Sequence, residues 1–198
     1  MNLFFTIKLP TEGLYKEKGS KFLAYAFPVS KQEEIADILA DLRKKHHDAR
    51  HHCYAYVIGL KDQRYRANDD GEPTHSAGDP VLGQIKSHNL TNTLVVVVRY
   101  FGGTKLGVGG LISAYKIAAD EALTKAEILT VYSKTKFKIT FDYQETSAVE
   151  RILAENDIDY HQKNFTSVCE YIGHIKDEEI LVMGEKLDLL QARFEILE

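Results

Sequence analysis

Apolar positions recur along the chain at two periods, and the switches between them lay out its elements. Residues 3–7 read as a strand, residues 10–13 (Pro-Thr-Glu-Gly) as a turn, and residues 22–29 as a loosely alternating second strand. Ser30 then has N-cap chemistry, with Glu33 three residues on to complete a capping box. The helix that follows places Ile35, Ile38, Leu39 and Leu42 on one face, and its basic end, residues 43–47, suits a helix C-terminus. Cys53, Ala55 and Val57 alternate with Tyr54, Tyr56 and Ile58 in a third strand that stops at Gly59. Residues 68–73 have turn chemistry, and residues 80–88 suit a short helix with Pro80 in its first turn. Residues 93–98 form the β-branched run of a strand buried on both faces. A glycine-rich turn comes next, then a helix over about residues 111–126.

The rest of the chain has its own rhythm. Residues 134–141 alternate as a strand, and a helix starts at about Ser147, where Glu150 repeats the capping-box spacing and Val149, Ile152 and Leu153 form the buried face. Strands over 158–163 and 167–175, a helix from about Glu178 and a strand over 193–197 complete a β-α-β-β-α-β order, the ferredoxin-like pattern. The chain is therefore read as α+β with two domains, 1–130 and 131–198.

Length and composition fit that division. The 198 residues are long for one compact domain and comfortable for two, and the 44% hydrophobic and 27% charged shares are those of a globular protein. The start has neither the basic head nor the apolar run of a secretory signal, and the longest apolar stretch, residues 94–98, is too short to cross a bilayer. Cys53 and Cys169 fall in different domains, which provides no disulfide framework and fits a reducing, cytoplasmic setting without a membrane. The net charge of −4 conceals an asymmetry: residues 1–130 carry 17 Lys and Arg against 15 Asp and Glu, residues 131–198 carry 8 against 14. Neither half has the dense basic face of a stand-alone nucleic-acid binder, so any RNA contact is expected to be local and in the first half.

The candidate chemistry centres on residues 99–110. Gly102, Gly103, Gly107, Gly109 and Gly110 follow a buried strand and precede a helix, where exposed amides and the helix N-terminus favour an anion. Arg99 and Lys105 add full charges, while Tyr100, Phe101 and Tyr115 are placed to stack on a base or to pack. The Walker pattern fails because Val108 follows Gly107, and the dinucleotide pattern fails for want of a third glycine. A tight turn that lets the helix pack on the sheet explains the same glycines.

Two further clusters invite chemistry. His47 and His51 are four apart, but helix should give way to strand near Ala49 and Arg50, and no second ligand pair lies at a zinc-like distance, so a polar helix end is the reading here and no metal or cofactor is indicated. Asp70 and Glu72, in the loop that runs on to His75, have the types of a general acid/base pair or a magnesium ligand, but acidic turns are ordinarily solvated. Ser76 and Ser113 stand in no nucleophile motif.

These residues resemble one family. Residues 18–23 (Lys-Gly-Ser-Lys-Phe-Leu), the alternation of Ala49, His51, Cys53 and Ala55, residues 70–73 with Ala77, Gly78 and Pro80, and residues 97–111 look like the signature blocks of the IMPACT/YigZ family, in order across about residues 15–125. The resemblance implies an N-terminal two-layer α/β domain with the fold of the second domain of a small-subunit ribosomal protein. It also implies a C-terminal domain like the last domain of elongation factor G, a factor whose two last domains contact the ribosome. Eukaryotic relatives act as translational regulators in amino-acid starvation. Two positions depart from the family pattern: Ile112 to Tyr115 lack the Arg common after the Gly-Gly-Leu stretch, and Thr74 to Ser76 replace a common Gly-Thr pair.

The leading expectation is a non-enzymatic module that touches the ribosome, RNA or a translation-related protein through Arg99, Lys105 and the glycine turn, with His51, Asp70 and Glu72 on the same face. The alternatives are a phosphate- or nucleotide-binding enzyme built on the same turn, and a protein-interaction module whose acidic second domain docks a basic partner.

Overall fold

The computed structural model describes residues 3–165 and 168–197. Its backbone contacts divide into two units, Phe4–Val131 and a second that joins Leu3 to the residues from Tyr132 onward. The first unit runs β1 (Leu3–Ile7), β2 (Thr11–Glu17), β3 (Ser20–Pro28), α1 (Gln32–Lys45), β4 (His51–Ile58), β5 (Arg64–Asn68), α2 (Gly78–Ser87), β6 (Thr93–Tyr100), α3 (Gly107–Thr124) and β7 (Ile128–Tyr132). Five strands form one sheet in the order β2-β3-β6-β4-β5, antiparallel at every pairing, while β1 pairs with β7.

The central strand β6 decides the layering. Its first seven residues are buried, which requires cover on both faces. Val95 and Val97 face a core with Ala118, Tyr115 and Leu111 of α3 and Val81 and Ile85 of α2. Leu94, Val96 and Val98 face a second core with Ile35 and Leu42 of α1. The unit therefore has three layers, helices on each side of the sheet, where the family resemblance implied two. Each fully buried Val or Leu contributes roughly 1.5–3 kcal/mol, and β6 supplies such residues to both faces.

Two local expectations are corrected, and one strand is new. Residues 11–13 belong to β2 and are not a turn. A Cβ on Gly13 would lie 2.6 Å from the backbone nitrogen of Ala122, so this glycine serves the close approach of α3 to the sheet. Helix α1 starts two residues after Ser30, which makes Glu34, and not Glu33, the residue that reaches back: its carboxylate accepts from the Ser30 amide at 2.8 Å and hydroxyl at 3.0 Å. The edge strand β5 is polar and carries no apolar alternation that would announce it.

The second unit runs β8 (Lys134–Asp142), α4 (Thr146–Glu155), β9 (Tyr160–Phe165), β10 (Val168–Lys176), α5 (Ile180–Asp188) and β11 (Arg193–Leu197). Its sheet has the order β11-β8-β10-β9, all antiparallel. Alternate residues Phe137, Ile139 and Phe141 of β8 are buried against Val149 and Leu153 of α4 and Met183 and Leu187 of α5, so one face is covered. Glu150 does not cap α4; its carboxylate accepts from the Tyr171 hydroxyl at 2.7 Å. Ser167, expected to open a strand, lies outside the described residues. Among those described, no helix is long and apolar enough to cross a membrane.

Candidate functional site

Strand parity sorts the end of β6. Arg99 pairs with His51 of β4 and Phe22 of β3, and its side chain lies on the α2–α3 side of the sheet. The loop after β5 folds against this corner through two consecutive positive φ angles, 42° at Asp70 and 86° at Gly71. Its carboxylates turn inward. Asp69 caps α2 by accepting from the amides of His75, Ala77 and Gly78 at 2.8–2.9 Å. Asp70 accepts from Arg43 at 2.8 Å and from the His52 amide at 2.7 Å. Burial opposes the Asp70 charge, but those two donors outweigh it and hold its pKa below the ordinary value.

Glu72 makes the most enclosed pair of the loop. Its Oε1 accepts from Arg99 Nη1 at 2.6 Å and from the Tyr115 hydroxyl at 2.8 Å, and the two charged side chains are 4% and 8% exposed. Burial, with Cys53 and Glu72 alongside, pushes the Tyr115 hydroxyl far above its usual pKa, so it stays a proton donor. The Arg99 guanidinium lies 5.5 Å from the ring centre of Phe22 and 5.6 Å from that of Phe101, and its Nε has no hydrogen-bond partner. His51 Nδ1 is 2.8 Å from the Asp70 carbonyl. A carbonyl only accepts, so Nδ1 carries a proton and donates this bond.

The glycine turn divides into three roles. A Cβ on Gly102 would lie 1.9 Å from the carbonyl carbon of Gly19, and the Gly102 amide donates to Ser20 Oγ at 3.1 Å, so this residue locks the turn to the β2–β3 hairpin. Gly103 and Gly107 have φ of 87° and 73°. Helix α3 begins at Gly107, four residues earlier than expected, so Gly109 and Gly110 lie inside its first turn. That turn has no side-chain cap and no acidic residue, which leaves its amides and partial positive charge unopposed.

These parts enclose a cleft of about 430 Å³, lined by Arg50, His51, Glu72, Pro73, Arg99, Phe101, Lys105, Leu106, Gly107, Val108 and Leu111. Six residues singled out in the sequence meet there: His51, Glu72, Arg99, Phe101, Lys105 and Gly107. Asp70 contributes its carbonyl to His51 and spends its carboxylate elsewhere. Gly102, Gly103, Gly109 and Gly110 do not line the cleft, and Tyr115 is fully buried, its hydroxyl bonded among the described residues to Glu72 and Cys53. Tyr100 is withdrawn from the candidate set, because parity turns it to the α1 side, where its hydroxyl donates to Asp48 at 3.0 Å. Arg50 and the apolar wall of Leu106, Val108 and Leu111 were not anticipated. The alternation from Arg99 to Phe101 was the one signal able to separate Phe101 from Tyr100. Among the described residues, no group of three His, Cys, Asp or Glu side chains is arranged to hold a metal ion.

The α1 side holds a polar cluster of its own. Tyr100 spends its proton on Asp48, so it accepts from His46 Nδ1 at 2.9 Å, and His46 Nε2 accepts from the Tyr25 hydroxyl at 2.8 Å. His47 and His51 do not share a helix, since α1 ends at Lys45. His52 is 3% exposed and neither ring nitrogen has a hydrogen-bond partner. Burial lowers the pKa of both His46 and His52 below the ordinary 6.5, aided by Lys45 for the first and Arg43 for the second. The unfolded chain therefore takes up these protons near pH 6.5 and the folded chain only at lower pH. Their neutral forms stabilise the fold above that value, and the stabilisation is lost as pH falls below it. The urea midpoint of the first unit is expected to drop between pH 7 and pH 5. His52→Leu is expected to flatten that slope while holding or raising the midpoint at pH 7, because it removes two buried, unbonded nitrogens. An unchanged slope in the variant overturns this account.

Residues 18–123 match the Impact N-terminal domain family, and every residue of the cleft lies inside that span. The IMPACT family member YvyE of Bacillus subtilis is 32% identical over 185 residues, which cover 93% of this chain and 85% of that protein. The chain belongs to the IMPACT family. Another member, YigZ of Escherichia coli, is 34% identical over 142 residues, 71% of this chain and 70% of that protein. Protein IMPACT of Oryctolagus cuniculus is 36% identical over 96 residues, 46% of this chain but 30% of that longer protein. A solved structure described only as that of a hypothetical protein matches this IMPACT family chain with a TM-score of 0.76 and 26% identity, covering 100% of this chain and 98% of the other.

Proposed function

We propose that this IMPACT family member is a non-enzymatic module of the translation apparatus that holds a phosphate of RNA, free or in the ribosome, in the cleft at the start of α3. One observation carries the reading: an uncapped helix N-terminus, Lys105, Arg50 and the buried Arg99 converge on one cleft. The carboxylates that an enzyme of this shape would use, Asp70 and Glu72, are instead engaged by Arg43 and Arg99. The first unit is read as a relative of the second domain of a small-subunit ribosomal protein. The second, with its β-α-β-β-α-β order, is read as a ferredoxin-like domain akin to the last domain of elongation factor G.

The test is co-sedimentation of the purified chain with ribosomes, and its binding to ribosomal RNA, at two salt concentrations. With Lys105 and Arg50 as the cleft cations that make no ion pair among the described residues, affinity should fall about five- to tenfold between 50 and 200 mM salt. Lys105→Ala should weaken binding and make it less sensitive to salt. Absence of any salt-sensitive association with ribosomes or RNA removes the reading.

A further inference from the structure

Resting on the RNA reading, we propose that the cleft takes one unpaired nucleotide, its base against Phe101 and its phosphate at the first turn of α3, and excludes base-paired RNA. Three features of the cleft point to this ligand. Phe101 is a large aromatic left 55% exposed at the cleft. One side of its ring is taken by the Arg99 guanidinium, and the remaining surface is a platform of the kind on which single-stranded bases stack. Second, the walls are mixed: Leu106, Val108 and Leu111 are apolar, whereas Lys105 and the unopposed amides of α3 are positive. A phosphate alone has no use for the apolar wall, and an apolar ligand has none for the charge; a nucleotide uses both.

Third, Arg99 lines the cleft more than nine-tenths buried, with Nη1 held by Glu72 and Nε sealed from solvent. So fixed, the guanidinium backs the Phe101 ring at 5.6 Å and holds the platform in place. The volume, about 430 Å³, lies toward the small end of ligand sites and suits a single nucleotide. Within a duplex the bases are stacked on one another and present only edges and phosphates, so no interior base face reaches Phe101.

The experiment is fluorescence anisotropy on the full chain with a short single-stranded RNA and with the same RNA annealed into a blunt duplex. The single strand should bind at least about tenfold more tightly. Phe101→Ala should weaken single-strand binding by about 5- to 150-fold, the range of one stacked base, and leave the weak duplex binding unchanged. Phe101→Tyr, which keeps the ring, should restore it. Equal affinity for strand and duplex, or full affinity in Phe101→Ala, overturns the nucleotide pocket while the RNA reading stands. No binding to either RNA at low salt overturns both.

Discussion

Arg99→Ala is expected to cost the first unit about 3–5 kcal/mol of stability, read as a lowered urea midpoint. The reason is the partner it leaves behind. The Glu72 side chain is 4% exposed, and without Arg99 its charge keeps only the Tyr115 hydroxyl as a donor at this oxygen. A buried ion pair is weak evidence of net stabilisation, but removing one member leaves a charge in a poor dielectric setting with little water to solvate it. Glu72→Gln, which keeps the shape and drops the charge, should therefore rescue Arg99→Met. The double variant is expected to be more stable than Arg99→Met alone, and a double-mutant cycle measures the coupling. A loss below about 1 kcal/mol in Arg99→Ala, the range of exposed pairs, would show that water reaches the pair. The cleft depends on the same contact, because Glu72 fixes the guanidinium that lines it.

Gly102→Ala is expected to destabilise by about 3 kcal/mol or more, at the upper end of overpacking costs. The added Cβ would meet the carbonyl carbon of Gly19 at 1.9 Å and the Ser20 nitrogen at 2.2 Å, both backbone atoms that no rotamer change can move aside. The turn has to leave the hairpin, so the variant should also lose the Gly102 amide bond to Ser20. Gly109→Ala is the contrast: a Cβ there meets nothing within 4 Å and the backbone is helical, so it should stabilise by roughly 0.5–1 kcal/mol. Thermal or urea unfolding of the two variants separates the explanations of the glycines. Equal effects would mean that the turn yields and that the approach to the hairpin does not fix Gly102.

Much of the architecture could be read from local patterns. The run of residues 93–98 announced a strand buried on both faces, and the two-period rhythm after residue 130 announced the order β-α-β-β-α-β. That reading of β6 already conflicts with a two-layer unit, since a strand buried twice needs a helix on each side. Capping was less legible. Ser30 was the right place to look for a carboxylate contact, but the start of α1 moved the contact from Glu33 to Glu34, because one helical residue of shift changes which side chain reaches back.

For the site, residue types near Arg99 indicated the corner of the fold, and side-chain direction was the missing quantity. Tyr100 and Phe101 are adjacent, equally aromatic and equally able to stack, yet strand geometry sends one to Asp48 and leaves the other in the cleft. Composition alone also made the acidic loop look solvated or catalytic. Asp69 caps a helix, Asp70 ties the loop to α1, and Glu72 neutralises Arg99, contacts that span up to 27 residues. Sequence therefore settled most of the elements, though not β2, β5 or β7, and the neighbourhood of the glycine turn, since those follow from periodicity and local chemistry. Which charges are paired, which ring is free and which amides stay open were decided by tertiary packing, because each depends on a partner brought in from another element.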